Sequence, residues 1–143
     1  MEIKYEVLNI RHVDISNIDM MTLRYDFLLG NVYICEDDVC IEMDWEWIPL
    51  FDFSESLKFI LRELNNKNKP YIFEFTECGD ILKYERLDNS IKITSSFSSN
   101  FIQTDWNEFN SKANKFIAEI ENYIQNNCTF NTNSEIYKCL IKK

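Results

Sequence analysis

The densest group of side chains that could do chemistry is a run of carboxylates between residues 36 and 55. These twenty residues contain eight carboxylates and neither lysine nor arginine. Such a group could coordinate a divalent metal ion, or it could form ion pairs with a cationic partner. The eight residues are Glu36, Asp37, Asp38, Glu42, Asp44, Glu46, Asp52 and Glu55.

Metal binding is the weaker of these two interpretations. A calcium loop needs a glycine at its bend and a bidentate glutamate at its end, and the spacing here matches no such loop. A magnesium-dependent nuclease would also need a basic residue near the carboxylates to hold the phosphate, and this run contains none. The sequence therefore predicts no metal site and no cofactor, and it disfavours nucleic-acid binding for the same reason.

The charge distribution favours a cationic partner. Residues 1–63 contain 14 acidic and 5 basic residues, whereas residues 64–143 contain 10 of each, so the first part carries the whole net charge of -9. A surface with one sign of charge attracts an oppositely charged partner over long range. Ordinary solvation of an exposed strand is the competing interpretation, although exposed surfaces usually mix both signs of charge.

The predicted contact residues include one aromatic ring beside the carboxylates. Trp47 stands where a strand should end before Pro49, and we expect its ring to be exposed, whereas Trp45 favours the core. The predicted partner-binding set is Glu36, Asp37, Asp38, Glu42, Asp44, Glu46, Trp47 and Asp52.

No catalytic motif accompanies these residues, and the sequence predicts that the protein is not an enzyme. His12 is the only histidine, and no cysteine or second histidine lies near it in the chain to form a metal-binding group. The chain contains no nucleophile elbow, zinc-protease, P-loop or dinucleotide-binding pattern, and its two glycines could not support the last two.

The composition predicts a soluble, cytoplasmic protein that does not bind membranes. The first residues lack the basic start and apolar run of a signal peptide. Five cysteines form an odd set without a paired framework, which fits a reducing compartment where thiols stay free. Cys35 and Cys40 flank the acidic turn and could meet across a hairpin, although a zinc site would need further ligands.

The hydrophobic pattern predicts the elements that position the carboxylates. Alternation indicates strands over residues 2–8 and 21–29, and Gly30 marks a turn or bulge before a strand that begins at Val32. The clearest strand follows the acidic turn, with alternate residues facing the core and the solvent. Its predicted inward residues are Val39, Ile41, Met43 and Trp45, and its outward residues are Cys40, Glu42, Asp44 and Glu46.

Two main helices and three more strands complete the prediction. A capping box at residues 52–55 begins one helix, and Thr104 or Asp105 caps a longer helix of about 22 residues. Strands are predicted over residues 71–76, 81–86 and 90–97, and a short terminal helix follows Ser134. This order predicts a single α+β domain over residues 1–143, with a largely antiparallel sheet of about six or seven strands.

The chain resembles small acidic immunity proteins of bacterial polymorphic-toxin and contact-dependent-inhibition systems. The resemblance covers roughly residues 21–126. It depends on size, element order, acidity and the passage from Ile41-x-Met43-x-Trp45 through Pro49-Leu50 to the helix with Phe53, Leu57, Leu61 and Leu64. It implies a protein that binds one cognate toxin, often a nuclease, and blocks its substrate site.

A second interpretation uses the same electrostatics. A phage-type anti-defence protein, or another acidic mimic of DNA, would bind a nucleic-acid-binding effector of its host through the same carboxylates. The sequence leaves this alternative open, together with the choice between monomer and homodimer.

Overall fold

The computed structural model describes residues 1–10 and 20–127 and shows an α+β fold. Seven strands form two antiparallel sheets, with orders β1-β2-β3 and β4-β5-β6-β7. His12, Cys128, Cys139 and the predicted terminal helix lie outside the described residues. The elements are β1 (Glu2–Ile10), α1 (Met20–Tyr25), β2 (Leu28–Glu36), β3 (Val39–Pro49), α2 (Leu50–Glu63), β4 (Pro70–Glu74), β5 (Ile81–Leu87), β6 (Ser90–Ser95), β7 (Ile102–Asp105) and α3 (Trp106–Asn127).

The prediction of antiparallel strands is confirmed, but the strands form two sheets instead of one, one predicted strand was wrong and one strand was missed. The predicted strand over residues 21–29 is the helix α1 followed by the start of β2, because a short apolar run does not distinguish a helix from a strand. Strand β7 was not predicted, and it pairs with β6 just before α3. Gly30 lies within β2, at an irregularity in its pairing with β3, so the predicted bulge is confirmed there.

The two long helices follow the predicted apolar spacing. Helix α2 begins at Leu50, two residues before the predicted cap, and no side-chain hydrogen bond caps it. Helix α3 begins as predicted, since the Asp105 carboxylate accepts hydrogen bonds from the backbone N–H groups of Asn107 (2.9 Å) and Glu108 (3.2 Å).

One continuous core joins both sheets and both long helices. The ring of Phe53 on α2 lies edge-on to Phe116 on α3 and to Phe73 on β4. Tyr5 on β1 also packs edge-on against Phe116. These contacts hold the two sheets around the helix pair, which makes the strand that carries the carboxylates part of a rigid body.

Arg86 on β5 joins the second sheet to the end of α2. Its guanidinium donates hydrogen bonds to the carbonyl oxygens of Leu64 (2.6 Å), Asn65 (2.5 Å) and Asp88 (2.8 Å), and it lies 4.0 Å from the centre of the Trp106 ring. The carbonyl groups of the two residues that follow α2 therefore share this one donor side chain.

Replacing Arg86 with lysine should lower the free energy of unfolding by about 2–3 kcal/mol, because an ammonium cannot reach all three carbonyls from one position. The midpoint of urea denaturation measures this loss. Arg62→Lys is the matched control, since Arg62 lies over the Phe59 ring without such carbonyl bonds among the described contacts, and it should change stability by less than about 0.5 kcal/mol. Equal losses in the two variants would contradict the assigned role.

Tyr84 has a buried hydroxyl without a hydrogen-bond partner among the described residues. Its side chain is fully buried beside Phe109, and burial raises the pKa of its phenol far above the usual range. Tyr84→Phe should therefore leave stability unchanged or increase it by up to about 1 kcal/mol, because it removes an unsatisfied polar group at nearly constant volume. Thermal denaturation tests this expectation, and a clear loss of stability would show that the hydroxyl has a partner.

Candidate partner-binding surface

The β2–β3 hairpin places the first carboxylates at its tip. Glu36 pairs with Val39, so Asp37 and Asp38 form a two-residue turn. Asp37 has a φ of 51°, in the left-handed region that aspartate tolerates better than most residues. Both aspartates are exposed. The turn therefore presents two negative charges to the solvent.

Strand β3 carries the next carboxylates on the outer face of the first sheet. Ile41 and Met43 are fully buried, whereas Glu42 and Asp44 between them are exposed, as the alternation predicted. Glu42 lies opposite Tyr33 on β2, which in turn lies opposite Lys4 on β1. Within the described part of the chain, neither Glu42 nor Asp44 forms an ion pair.

Tyr33 lies on this face close to carboxylates of β1 and β3. Its hydroxyl donates a hydrogen bond of 2.8 Å to Glu6. That hydrogen bond raises the pKa of Tyr33, and the nearby charges of Glu6 and Asp44 raise it further. Carboxylates from two strands thus act on the same outer surface.

A bulge in β3 positions Glu46. Val32 pairs with Met43 and Gly30 pairs with Ile48. Strand β3 therefore advances five residues where β2 advances two, and the extra residues of β3 form the bulge. The backbone N–H of Glu46 donates a hydrogen bond of 2.7 Å to the side chain of Asn31, and Glu46 has a φ of 71°. Its side chain is exposed. The bulge therefore adds a third exposed carboxylate to β3.

The same bulge turns both tryptophans of β3 toward the second sheet. The rings of Trp45 and Trp47 stack with their centres 5.4 Å apart, and both lie edge-on to Phe75. Both tryptophans are half-buried. Trp47 is therefore only partly exposed, although the sequence predicted an exposed ring. Trp45 is only partly buried, although the sequence predicted a core position.

Trp47 borders a cleft that the sequence did not predict. The cleft has a volume of about 440 Å³, and among its lining residues are two carboxylates, two aromatic rings and no basic side chain. Its lining residues are Tyr25, Asp26, Leu29, Trp47, Pro49, Glu77 and Cys78. Aromatic faces and carboxylates together suit a cationic side chain. No local signal could reveal this cleft, because its walls come from three distant segments.

Two of the predicted contact residues are engaged inside the molecule. Asp52 is 8% exposed and forms an ion pair with Arg24. A Glu36 oxygen lies 3.3 Å from the amino group of Met1, which also contacts Glu108 at 2.6 Å. Asp52 is therefore not an exposed charge that a partner could contact, and Glu36 contributes less negative charge to the surface than the sequence indicated.

The remaining exposed carboxylates form what we call the acidic hairpin, which consists of Asp37, Asp38, Glu42, Asp44 and Glu46. None of these five carboxylates forms an ion pair with a basic group of residues 1–10 or 20–127. Two exposed apolar side chains, Val39 (39%) and Phe101 (52%), line a cavity beside the tip of the hairpin. Charge and apolar area therefore lie next to each other.

Cys35 and Cys40 form a disulfide bond across the hairpin, so the expectation of free thiols was wrong for this pair. The two residues are direct neighbours on β2 and β3, with Cα atoms 4.1 Å apart. The argument for a reducing compartment therefore loses the support of these two cysteines. Cys78 is an exposed residue whose thiol donates a hydrogen bond to Asp80. Slight desolvation of the sulfur, together with the charges of Asp80 and Glu77, raises the pKa of the thiol.

The described residues contain neither a metal-binding group nor a membrane-spanning helix. In that part of the chain, no group of three or more His, Cys, Asp or Glu residues is placed to hold a metal ion. None of its helices combines the length and apolarity that crossing a membrane requires. Comparison of the chain with known protein families, curated proteins and solved structures found no match.

Proposed function

We propose that this protein is an immunity-type inhibitor that uses the acidic hairpin to bind a toxin domain. This toxin domain is cationic and has nuclease activity. The observation that carries the proposal is the exposure of five carboxylates on one hairpin, without an ion pair to any described basic residue. Like charges so close repel one another, and a cationic partner would remove that repulsion.

The scaffold keeps the hairpin in one shape. The Cys35–Cys40 disulfide joins its two strands next to the turn, and the bond from Glu46 to Asn31 fixes the bulge. The inner faces of both strands are part of the core. A preorganised surface loses little conformational entropy on binding, so more of the interaction energy contributes to affinity.

The chemistry of a nuclease supplies a suitable partner surface. A nuclease binds the phosphates of its substrate with lysine and arginine side chains. Carboxylates of the acidic hairpin would occupy the same positions and exclude the nucleic acid. Val39 and Phe101 would supply apolar contact area, and the cleft beside Trp47 would accept a lysine or arginine side chain.

Affinity capture tests the proposal. The wild-type protein and a neutral variant, Glu42→Gln with Asp44→Asn and Glu46→Gln, are used as baits in a lysate of the source cell. We expect the wild-type bait to retain a basic nuclease domain at equal stoichiometry, and the variant to retain much less. The purified partner should lose nuclease activity when the wild-type protein is added.

Other outcomes decide against the proposal. Equal capture by both baits would reject the acidic hairpin as the binding surface. Capture of a host nucleic-acid-binding effector instead of a toxin would favour the anti-defence alternative.

A further inference from the structure

Basic residues of the acidic first part of the chain converge on one cavity. Residues 1–63 contain only 5 basic residues. Three of them, Arg24, Lys58 and Arg62, line a cavity of about 360 Å³ between α1, α2 and β4. Solvation alone gives no reason for such convergence in a protein of net charge -9.

Two carboxylates of the protein, one of which also lines the cavity, neutralise the charge of Lys58. Its ammonium lies 2.8 Å from Glu55 and 2.5 Å from the buried carboxylate of Glu121. Partial burial lowers the pKa of Lys58, but the hydrogen bonds to Glu121 and Glu55 raise it by more. Lys58 therefore stays charged and joins α2 to α3.

Each of the two arginines has hydrogen-bond donors for which the described residues supply no acceptor. Arg24 forms its ion pair with Asp52 through Nε, and no described residue accepts a hydrogen bond from its terminal nitrogens. The guanidinium of Arg62 lies 5.1 Å from the centre of the Phe59 ring, and no described carboxylate pairs with it. Both side chains border the same cavity.

Aromatic rings form another wall of this cavity. Phe59 is 37% exposed, and its ring centre lies 5.2 Å from that of Tyr71. Phe73 extends the apolar wall. An aromatic wall of this kind favours stacking with a flat ligand.

The geometry points to a binding site for a small anionic ligand. Such a ligand would consist of a planar aromatic ring that carries a phosphate or carboxylate group. Guanidinium groups bind such oxyanions through paired hydrogen bonds. The ring of the ligand would lie against Phe59 and Tyr71. The cavity volume of about 360 Å³ falls within the roughly 300–1,000 Å³ of small-molecule sites.

This site is separate from the acidic hairpin. The cavity is lined by residues of α1, α2 and β4, whereas Glu42 and Asp44 lie on the outer face of the first sheet. Binding of a small anion therefore depends on different residues from binding of a cationic protein, and either proposal can fail without the other.

Isothermal titration calorimetry on the whole chain tests the inference with four probes. Adenosine 5′-monophosphate and 4-hydroxybenzoate combine a ring with an anionic group. Adenosine lacks the charge, and inorganic phosphate lacks the ring. We expect at least one ring-bearing anion to bind with a Kd below about 1 mM, and the two partial probes to bind at least about tenfold more weakly. The two ring-bearing anions distinguish a phosphate ligand from a carboxylate ligand.

Variants connect this binding to the cavity. Arg62→Ala and Phe59→Ala should each weaken binding at least about tenfold, a change of about 1.4 kcal/mol. Lys67→Ala is the matched control, because it removes the same charge from an exposed position outside the cavity, and it should bind as the wild type does. Thermal denaturation confirms that each variant is folded. The inference is overturned if neither ring-bearing anion binds, if phosphate alone binds equally well, or if Arg62→Ala retains wild-type affinity.

Discussion

Replacing Glu42, Asp44 and Glu46 with lysine should weaken binding of the cationic partner by about 10²–10⁴-fold. The reversal exchanges three attractive contacts for three repulsive ones. Most of this change should be in the association rate if the carboxylates lie at the rim of the interface, and in the dissociation rate if they are buried there. Surface plasmon resonance with the captured partner measures both rates.

The folded state should tolerate this triple change. The three side chains are exposed, and surface substitutions usually change stability by less than about 0.5 kcal/mol each. The backbone hydrogen bond from Glu46 to Asn31 does not involve the side chain of Glu46. The thermal midpoint should therefore stay close to that of the wild type.

Glu74→Lys is the matched control for charge. Glu74 is exposed on β4, in the other sheet, and has no ion pair with a described residue. This variant should bind nearly as the wild type does, whereas Asp44→Lys alone should already bind more weakly. If Glu74→Lys and Asp44→Lys weaken binding equally, the effect comes from net charge, and the assigned surface is wrong.

Replacing Gly30 with alanine should lower the free energy of unfolding by about 3–5 kcal/mol, or prevent folding altogether. A Cβ atom at this position would lie 1.8 Å from the carbonyl oxygen of Glu6 and 3.3 Å from Leu50. The obstructing atom belongs to the backbone of β1, so relief requires moving the strand. That movement would separate β1 from β2 and disturb the packing of Tyr5 on Phe116.

Gly79→Ala provides the control for this prediction. Gly79 has a φ of 74°, but the nearest atom to an added Cβ lies 3.9 Å away. This variant should lose only about 1–2 kcal/mol, because it meets conformational strain without a clash. Chemical denaturation of both variants gives the comparison. A Gly30→Ala protein as stable as Gly79→Ala would contradict the close approach of β1 and β2.

Local patterns predicted those elements in which apolar residues recur regularly over several turns of a helix or several residues of a strand. The apolar stripe of α3, with its cap at Asp105, and the alternation of Ile41 and Met43 with Glu42 are of this kind. Helix α1 could not be predicted in the same way, since its six residues are too few to show a helical period. The bulge at Glu46 depends on Asn31, a residue of another strand.

The candidate surface was predictable in part, for the same reason. Exposure of Glu42 and Asp44 follows from alternation along one strand, whereas the exposed Glu46 lies in the bulge. Whether a carboxylate is neutralised depends instead on contacts between distant residues, such as the ion pair of Asp52 with Arg24. The pairing of Cys35 with Cys40 also needed the register of the hairpin. The sequence therefore indicated where the charge lies and could not show which part of it is available.

Hydrogen–deuterium exchange of the complex tests most directly whether the acidic hairpin is the docking surface. Among the strands of residues 1–10 and 20–127, β3 is at the edge of the first sheet, so one side of its backbone pairs with none of them in that sheet. With the captured partner bound, we predict slower exchange over residues 36–47 and 99–103, and little change over α3. Protection confined to other surfaces, with the exchange of residues 36–47 unaltered, would contradict the account.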